Sequence, residues 1–331
     1  MRWGAGAGAS RLISGNMEPH RELEARLAAF KGYQAALLFG SGYLANAGII
    51  AALAGRGEVV FSDELNHASI VDGCRLSRAE TFVYRHGDVE HLAWGLRQAG
   101  GRASLIVTDG VFSMDGDVAP LPQLLELARR HGARLMVDEA HATGAVGPGG
   151  RGSVSAAGLS GEVDVVVGTL GKALGSYGAY ACADAETIDL LVNAARPFIF
   201  STAPPPPALG AARAALEILE AEPELVERLQ ANAEVLRGAL AAEGLGGGRS
   251  ATQVVPIEIG AAEATMELCE RALRRGVFAQ GIRPPTVPEG SSRLRFTVMA
   301  THQAGELATA GREVGAAARE IGLAEARPLA A

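Results

Sequence analysis

The chain has 331 residues, 48% of them hydrophobic and 20% charged, with a formal net charge of −7. That length can bury a large core and suggests about two domains, while the acidic balance argues against a basic face for nucleic acid or an anionic membrane. No stretch is long and apolar enough to span a bilayer and the amino terminus lacks the apolar core of a signal peptide, so a cytoplasmic enzyme is expected.

The opening Gly4-Ala5-Gly6-Ala7-Gly8-Ala9 matches a G-x-G-x-x-A dinucleotide fingerprint, but that motif must follow a strand and only three residues precede it. Leu23, Leu27 and Phe30 recur at helical spacing and predict a helix over 19–30 that stops at Gly32. Residues 35–39 read as a short apolar strand. Gly40-Ser41-Gly42-Tyr43-Leu44-Ala45-Asn46 then opens an apolar helix, either as a tight turn or as an anion site at a helix amino terminus. Strands are expected at 58–62, 81–84, 104–108 and 134–137, with helices at 63–77 and 121–130. Further strands are expected at 179–182 and 198–200, before the Pro204–Pro207 run that reads as a domain boundary. Helices at 208–220, 224–243 and 263–275, strands at 254–259 and 294–298, and a Gly-rich turn at 244–248 describe a smaller α+β domain. Cys74, Cys182 and Cys269 are widely spaced, which supports buried thiols and neither a disulfide framework nor a metal site.

Val165-Val166-Val167 is an unbroken apolar run, as in a strand buried on both faces, and Lys172 stands just beyond its end. Taken alone, Lys172 is either a solvated surface charge or a nucleophile where α/β proteins place their ligands. A phosphate loop is excluded, because Val166 and Ala173 occupy its glycine and hydroxyl positions. Asp109, Ser113, Asp138, His141, Thr169 and Lys172 all fall at expected strand ends, along one edge of a mostly parallel sheet. A lysine, an acid on a neighbouring strand and a phosphate-binding helix start are what pyridoxal phosphate requires.

The segments DELNHAS (63–69), TDGVFSMDGD (108–117), VDEAHATG (137–144) and GTLGKA (168–173) resemble the α-oxoamine synthases, fold-type-I pyridoxal phosphate enzymes that condense an amino acid with an acyl thioester. The resemblance runs over nearly the whole chain. It implies a mostly parallel seven-stranded sheet flanked by helices in a large domain, 17–205, and a smaller carboxyl-terminal domain, 206–331. The turn IRPPTVP (282–288) followed by RLR (293–295) is most similar to the branch that joins L-alanine to a pimeloyl thioester, on coenzyme A or acyl carrier protein, in biotin synthesis.

Carried over by position, the resemblance implies that Lys172 holds the cofactor as a Schiff base and removes the α-proton. Asp138 would pair with the pyridinium nitrogen, His67 would stack on the ring and His141 would bond its hydroxyl. Ser113 would add a polar contact. Gly42, Tyr43 and Thr169 would hold the phosphate, with Thr202 reaching the phosphate of the other subunit of a homodimer. Arg295 would bind the alanine carboxylate and Thr286 would line the acyl site. Asp109 stands where the resemblance leads one to expect glutamate.

The family normally begins with a further segment bearing an Asn-x-Tyr-Leu-Gly strand, so 1–16 is expected to be its remnant. Weakened small-domain closure and weaker recognition of the distal pimeloyl carboxylate are expected with it. Competing expectations are a sister synthase using glycine with another acyl-CoA, and a non-catalytic partner that binds the cofactor.

Overall fold

Alternating apolar strands and amphipathic helices build a seven-stranded sheet in the first of two compact units. The structure is a computed structural model and describes residues 2–246 and 248–323. Gly247 of the expected Gly-rich turn, residue 1 of the expected amino-terminal remnant and residues 324–331 of the expected small domain lie outside the described residues. The first unit takes the described residues up to Phe112 together with Val118–Pro223; the second takes Ser113–Asp117 and the described residues from Glu224 onward.

In the first unit, α1 (Glu18–Lys31), β1 (Ala35–Phe39), α2 (Gly42–Leu53), β2 (Val59–Asp63) and α3 (Ala68–Ser77) follow one another closely. They lead to β3 (Glu80–Tyr84), α4 (Val89–Gln98), β4 (Ala103–Asp109), α5 (Leu121–His131) and β5 (Arg134–Asp138). A one-turn α6 (Ser153–Ala156), β6 (Val165–Thr169), β7 (Ala179–Ala183), α7 (Ala185–Ala194), α8 (Arg196–Ile199) and α9 (Pro206–Ala221) complete it. The strand order is β1-β7-β6-β5-β4-β2-β3. β2 to β6 run parallel, while β7 is antiparallel to both neighbours. A short hairpin is the reason, since a parallel pair would need a long crossover.

Residues alternate between two apolar layers, one on each face of the sheet. Val60, Val107, Met136, Val165 and Val167 pack with Ile49, Ile50 and Ile70 of α2 and α3. Phe61, Ile106, Leu135, Val137 and Val166 pack with Leu92, Leu96, Leu124 and Leu125 of α4 and α5. Burial on both faces explains why these strands read as continuous apolar runs.

Two expectations are corrected. Residues 198–200 form no strand: Pro197 suits the first turn of a helix, and Arg196–Ile199 is the single turn α8. The helix expected from residue 63 starts only at Ala68, because 64–67 wrap around Asp63, whose carboxylate accepts from Leu65 N at 2.9 Å and Gly87 N at 3.0 Å. The expected boundary after residue 205 precedes α9, which groups with the first unit, and the short segment 113–117 groups with the second.

The second unit comprises α10 (Glu224–Ala242), β8 (Val254–Gly260), α11 (Ala262–Arg274), β9 (Gln280–Ile282), β10 (Ser292–Thr297) and α12 (Ala304–Glu320). Its antiparallel sheet has the order β8-β10-β9. Segment 113–117 is fastened to it by the Arg293–Asp115 ion pair, by Arg295 Nε donating to Ser113 O at 2.6 Å and by Thr252 Oγ1 donating to Gly116 O at 3.0 Å. No helix among the described residues is long and apolar enough to cross a membrane.

Candidate active site

Lys172 lies on the hairpin between β6 and β7. Thr169 shapes that hairpin: its hydroxyl donates to Gly178 O at 3.1 Å and accepts from Gly171 N at 3.2 Å, and Leu170 N donates to Gly178 O at 2.9 Å. The loop closes with Gly175 N on Lys172 O at 3.0 Å. This leaves Lys172 exposed, with Nζ 2.9 Å from His141 Nε2 on the loop after β5. Gly168 is needed in β6 because a Cβ there would lie 2.3 Å from the buried Tyr180 ring.

Next to this hairpin, Asp138 ends β5 and is the register partner of Asp109 at the end of β4. Asp138 is buried; Oδ1 accepts from Ala140 N at 2.8 Å and Oδ2 from Asn46 Nδ2 at 2.7 Å. Asp109 Oδ2 accepts from His67 N at 2.8 Å. Burial, reinforced by the neighbouring Asp138 carboxylate, pushes Asp109 well above the usual carboxylate range, against the opposing pull of the His67 N–H and Lys172. Its folded-state pKa exceeds the unfolded one, so Asp109 favours folding when protonated, and that contribution is lost as pH rises from the ordinary carboxylate range through the raised value. Asp109→Asn is therefore expected to gain stability relative to the parent as pH is raised from about 4 to about 7. Urea midpoints of the cofactor-free proteins check this; a constant difference across that range contradicts it.

His67 caps α3. Its Nδ1 accepts from Ser69 N at 3.2 Å and lies 2.7 Å from Ser69 Oγ. Asn46 Nδ2 reaches that same hydroxyl at 2.9 Å, while the buried Asn46 Oδ1 has no hydrogen-bond partner among the described residues. An unpaired buried acceptor costs about 1–3 kcal/mol, yet the opposite amide orientation would set an oxygen against the Asp138 carboxylate.

Gly42 and Tyr43 are the first residues of α2, whose capping Ser41 accepts from Leu44 N at 3.3 Å. Their N–H groups precede the helical ladder, and a Cβ at Gly42 would meet nothing within 4 Å. Thr202 is exposed on a segment bridged to Ser10. Ser113, Thr286 and Arg295 belong to the second unit. There the guanidinium of Arg295 holds Ser113 O and donates to Thr297 Oγ1 at 3.0 Å, and Thr286 is an exposed turn residue.

The structure also reveals supports that sequence reasoning missed. Asn46 was detectable as an amide inside the otherwise apolar GYLANAGIIAAL helix. Ser69 follows His67 within DELNHAS, with nothing to mark it. Lys31, at the carboxyl end of α1, reads as a solvated helix-end lysine but is buried against Glu139, the residue after Asp138. Lys31 Nζ also donates to Thr143 Oγ1 at 3.1 Å and Arg151 O at 2.6 Å, and Glu139 Oε1 accepts from Ser153 Oγ at 2.9 Å and Val154 N at 2.7 Å. Gly152, at φ 103°, makes room: a Cβ there would lie 2.2 Å from the Glu139 carboxylate.

A primary amine, a buried carboxylate, two imidazoles and an open helix amino terminus around one sheet edge suit a cofactor bearing an aldehyde, a basic ring nitrogen and a phosphate. The sheet order, with its one antiparallel strand, and this lysine hairpin define the fold-type-I transferase class. The family model for aminotransferase class I and II matches residues 2–313, and the chain belongs to that family. It is 53% identical over 324 residues to an 8-amino-7-oxononanoate synthase from Citrifermentans bemidjiense, covering 97% of this chain and 83% of the relative. It is 54% identical over 326 residues to one from Geobacter sulfurreducens, with the same coverage of both chains. Among solved structures, a serine palmitoyltransferase from S. paucimobilis with a bound PLP–myriocin aldimine superposes with a TM-score of 0.93 at 36% identity, covering 97% of this chain and 81% of that one. An 8-amino-7-oxononanoate synthase from Francisella tularensis gives 0.81 at 28% identity, covering 92% and 88%.

Proposed function

We propose that this protein condenses L-alanine with a pimeloyl thioester, carried on coenzyme A or acyl carrier protein, to give 8-amino-7-oxononanoate, carbon dioxide and free thiol, using pyridoxal phosphate. The observation that carries the reading is Lys172 Nζ at 2.9 Å from His141, on the hairpin beside the Asp138 strand end, in a chain 53–54% identical to relatives of that name. When bound, pyridoxal phosphate supplies an aldehyde for amines and a protonated ring that draws electrons from the bond being broken.

The chain's own groups do the rest. Lys172 would hold the cofactor through Nζ and would move the proton on and off the alanine Cα. Asp138, its carboxylate already oriented by two donors, would hold the ring nitrogen in its protonated form. His141 would hold the ring hydroxyl and His67 the ring face. Gly42 and Tyr43 N–H groups would bind the phosphate, where the α2 dipole favours an anion, and the Thr169 hydroxyl would join them by turning its proton away from Gly178 O. Ser113 adds a polar contact, and Thr202 serves the phosphate of a second copy in a homodimer. Arg295 is assigned the alanine carboxylate, which suits a planar guanidinium, and Thr286 the acyl chain.

Thiol release from pimeloyl-CoA and pimeloyl acyl carrier protein with alanine, set beside serine with palmitoyl-CoA and glycine with acetyl-CoA, tests the assignment. The serine arm is included because the palmitoyltransferase structures superpose so well. Turnover is expected with alanine and a pimeloyl donor; turnover in the serine or glycine arm alone would sink the assignment.

A further inference from the structure

We infer that Asn46 and Ser69 are positioning residues that hold His67 as its Nε2–H tautomer and tie that tautomer to the Asp138 carboxylate. The protons along this chain of contacts fix its polarity, and only its functional meaning rests on the proposed roles of His67 and Asp138.

A carboxylate only accepts, so the Asn46 amide must present its NH2 to Asp138 Oδ2, at 2.7 Å. The second hydrogen of that NH2 points to Ser69 Oγ at 2.9 Å, which makes the serine oxygen an acceptor there. The single hydroxyl proton of Ser69 is then available for His67 Nδ1, 2.7 Å away. The backbone N–H of Ser69 also points to Nδ1, at 3.2 Å. With two donors aimed at it, Nδ1 carries no proton, and the proton of the neutral ring resides on Nε2. The His67 backbone is fixed independently by its N–H on Asp109 Oδ2 at 2.8 Å. Asn46, Ser69 and Asp138 are enclosed, so water does not compete for the bonds among these three, while the His67 ring they lead to is exposed.

The unpartnered Asn46 Oδ1 shows what this polarity sacrifices. Turning the amide over could offer that oxygen the Ser69 hydroxyl proton, but it would place oxygen against oxygen at Asp138 and leave Nδ1 without its serine donor. The relay therefore transmits the charge of Asp138 to the ring of His67: as long as Asp138 is a carboxylate, His67 offers Nε2–H as a hydrogen-bond donor at the cofactor face. The groups that orient the face and the ring nitrogen of the cofactor thus form one unit rather than two.

Imidazole nitrogen resonances of the full-length protein with ring-labelled histidine, the His67 signals being identified by their loss in His67→Gln, read the tautomer directly. The parent is expected to show protonated Nε2 and unprotonated Nδ1. Ser69→Ala and Asn46→Leu are expected to shift both nitrogens toward averaged values, and Ser69→Thr, which keeps the hydroxyl, to restore the parental pattern. Asn46→Leu also removes a donor from Asp138 and is expected to weaken pyridoxal phosphate affinity about tenfold, followed by absorbance titration. An Nδ1–H tautomer in the parent, or a parental pattern in both Ser69→Ala and Asn46→Leu, overturns the inference. If Asn46→Leu does not fold, Ser69→Ala alone decides the tautomer. A parent that binds no pyridoxal phosphate yet shows the tautomer, with its loss on substitution, leaves the relay standing and defeats the proposed function instead.

Discussion

Lys31→Met is expected to lower folding stability by about 3–5 kcal/mol, the usual consequence of removing one member of a buried ion pair. The reason is the charge left behind. Lys31 and Glu139 are both buried, at 2% and 0% side-chain exposure, and Glu139 would lose the ammonium it is paired with while still enclosed by Ser153 Oγ and Val154 N. Burial alone pulls the Lys31 ammonium down, but Glu139, with smaller help from Tyr180, outweighs it and leaves the lysine raised above its ordinary value. A raised lysine contributes stability that is complete below its unfolded pKa and is lost only as pH climbs through the folded one, so the pair is intact at neutral pH. Replacing both partners, in Lys31→Met with Glu139→Leu, is expected to recover part of the loss, since no orphaned charge remains. Urea denaturation of the three proteins provides the measurement. A Lys31→Met midpoint indistinguishable from the parent would show that water reaches Glu139. Because Glu139 lies between Asp138 and His141, the same substitution is expected to loosen the candidate site before it unfolds the domain.

Lys172→Ala is expected to reduce kcat/KM by at least about a thousandfold, at the upper end of what a positioned proton-transfer group contributes, and more if the lysine also holds the cofactor. Folding should be nearly unaffected, because Lys172 is exposed on a hairpin shaped by Thr169, Gly171 and Gly178. Lys172→Arg is not a rescue, since a guanidinium stays protonated and cannot act as a base. Borohydride treatment of the parent loaded with pyridoxal phosphate, followed by peptide mass analysis, should place the pyridoxyl adduct at residue 172. An adduct at another lysine, or full turnover by Lys172→Ala, would remove Lys172 from the proposed role.

Much of this site was legible in the sequence because its parts are local. Val165–Val167 announces a doubly covered strand, the residues after it announce a turn, and Lys172 follows within five positions. Asp138 and Asp109 end apolar runs in the same way. At the single turn Arg196–Ile199, Phe198, Ile199 and Phe200 mimic a strand, and the proline ahead of them is the better guide. The pairing of Asn46 with Ser69 has no local signature for another reason: 23 residues separate them, and the amide reaches Asp138 across 92.

The sequence by itself therefore determined the alternating α/β pattern, the family and the chemistry available at each strand end, since these depend on short-range periodicity and on side-chain type. Only the tertiary structure decided which polar groups are buried together and with what polarity. Lys31 looks solvated until α1 packs its end against Glu139, and His67 has two possible tautomers until Asp138, through Asn46 and Ser69, selects one. Those outcomes rest on desolvation and on a limited number of protons shared among groups far apart in the chain, quantities that no local pattern encodes.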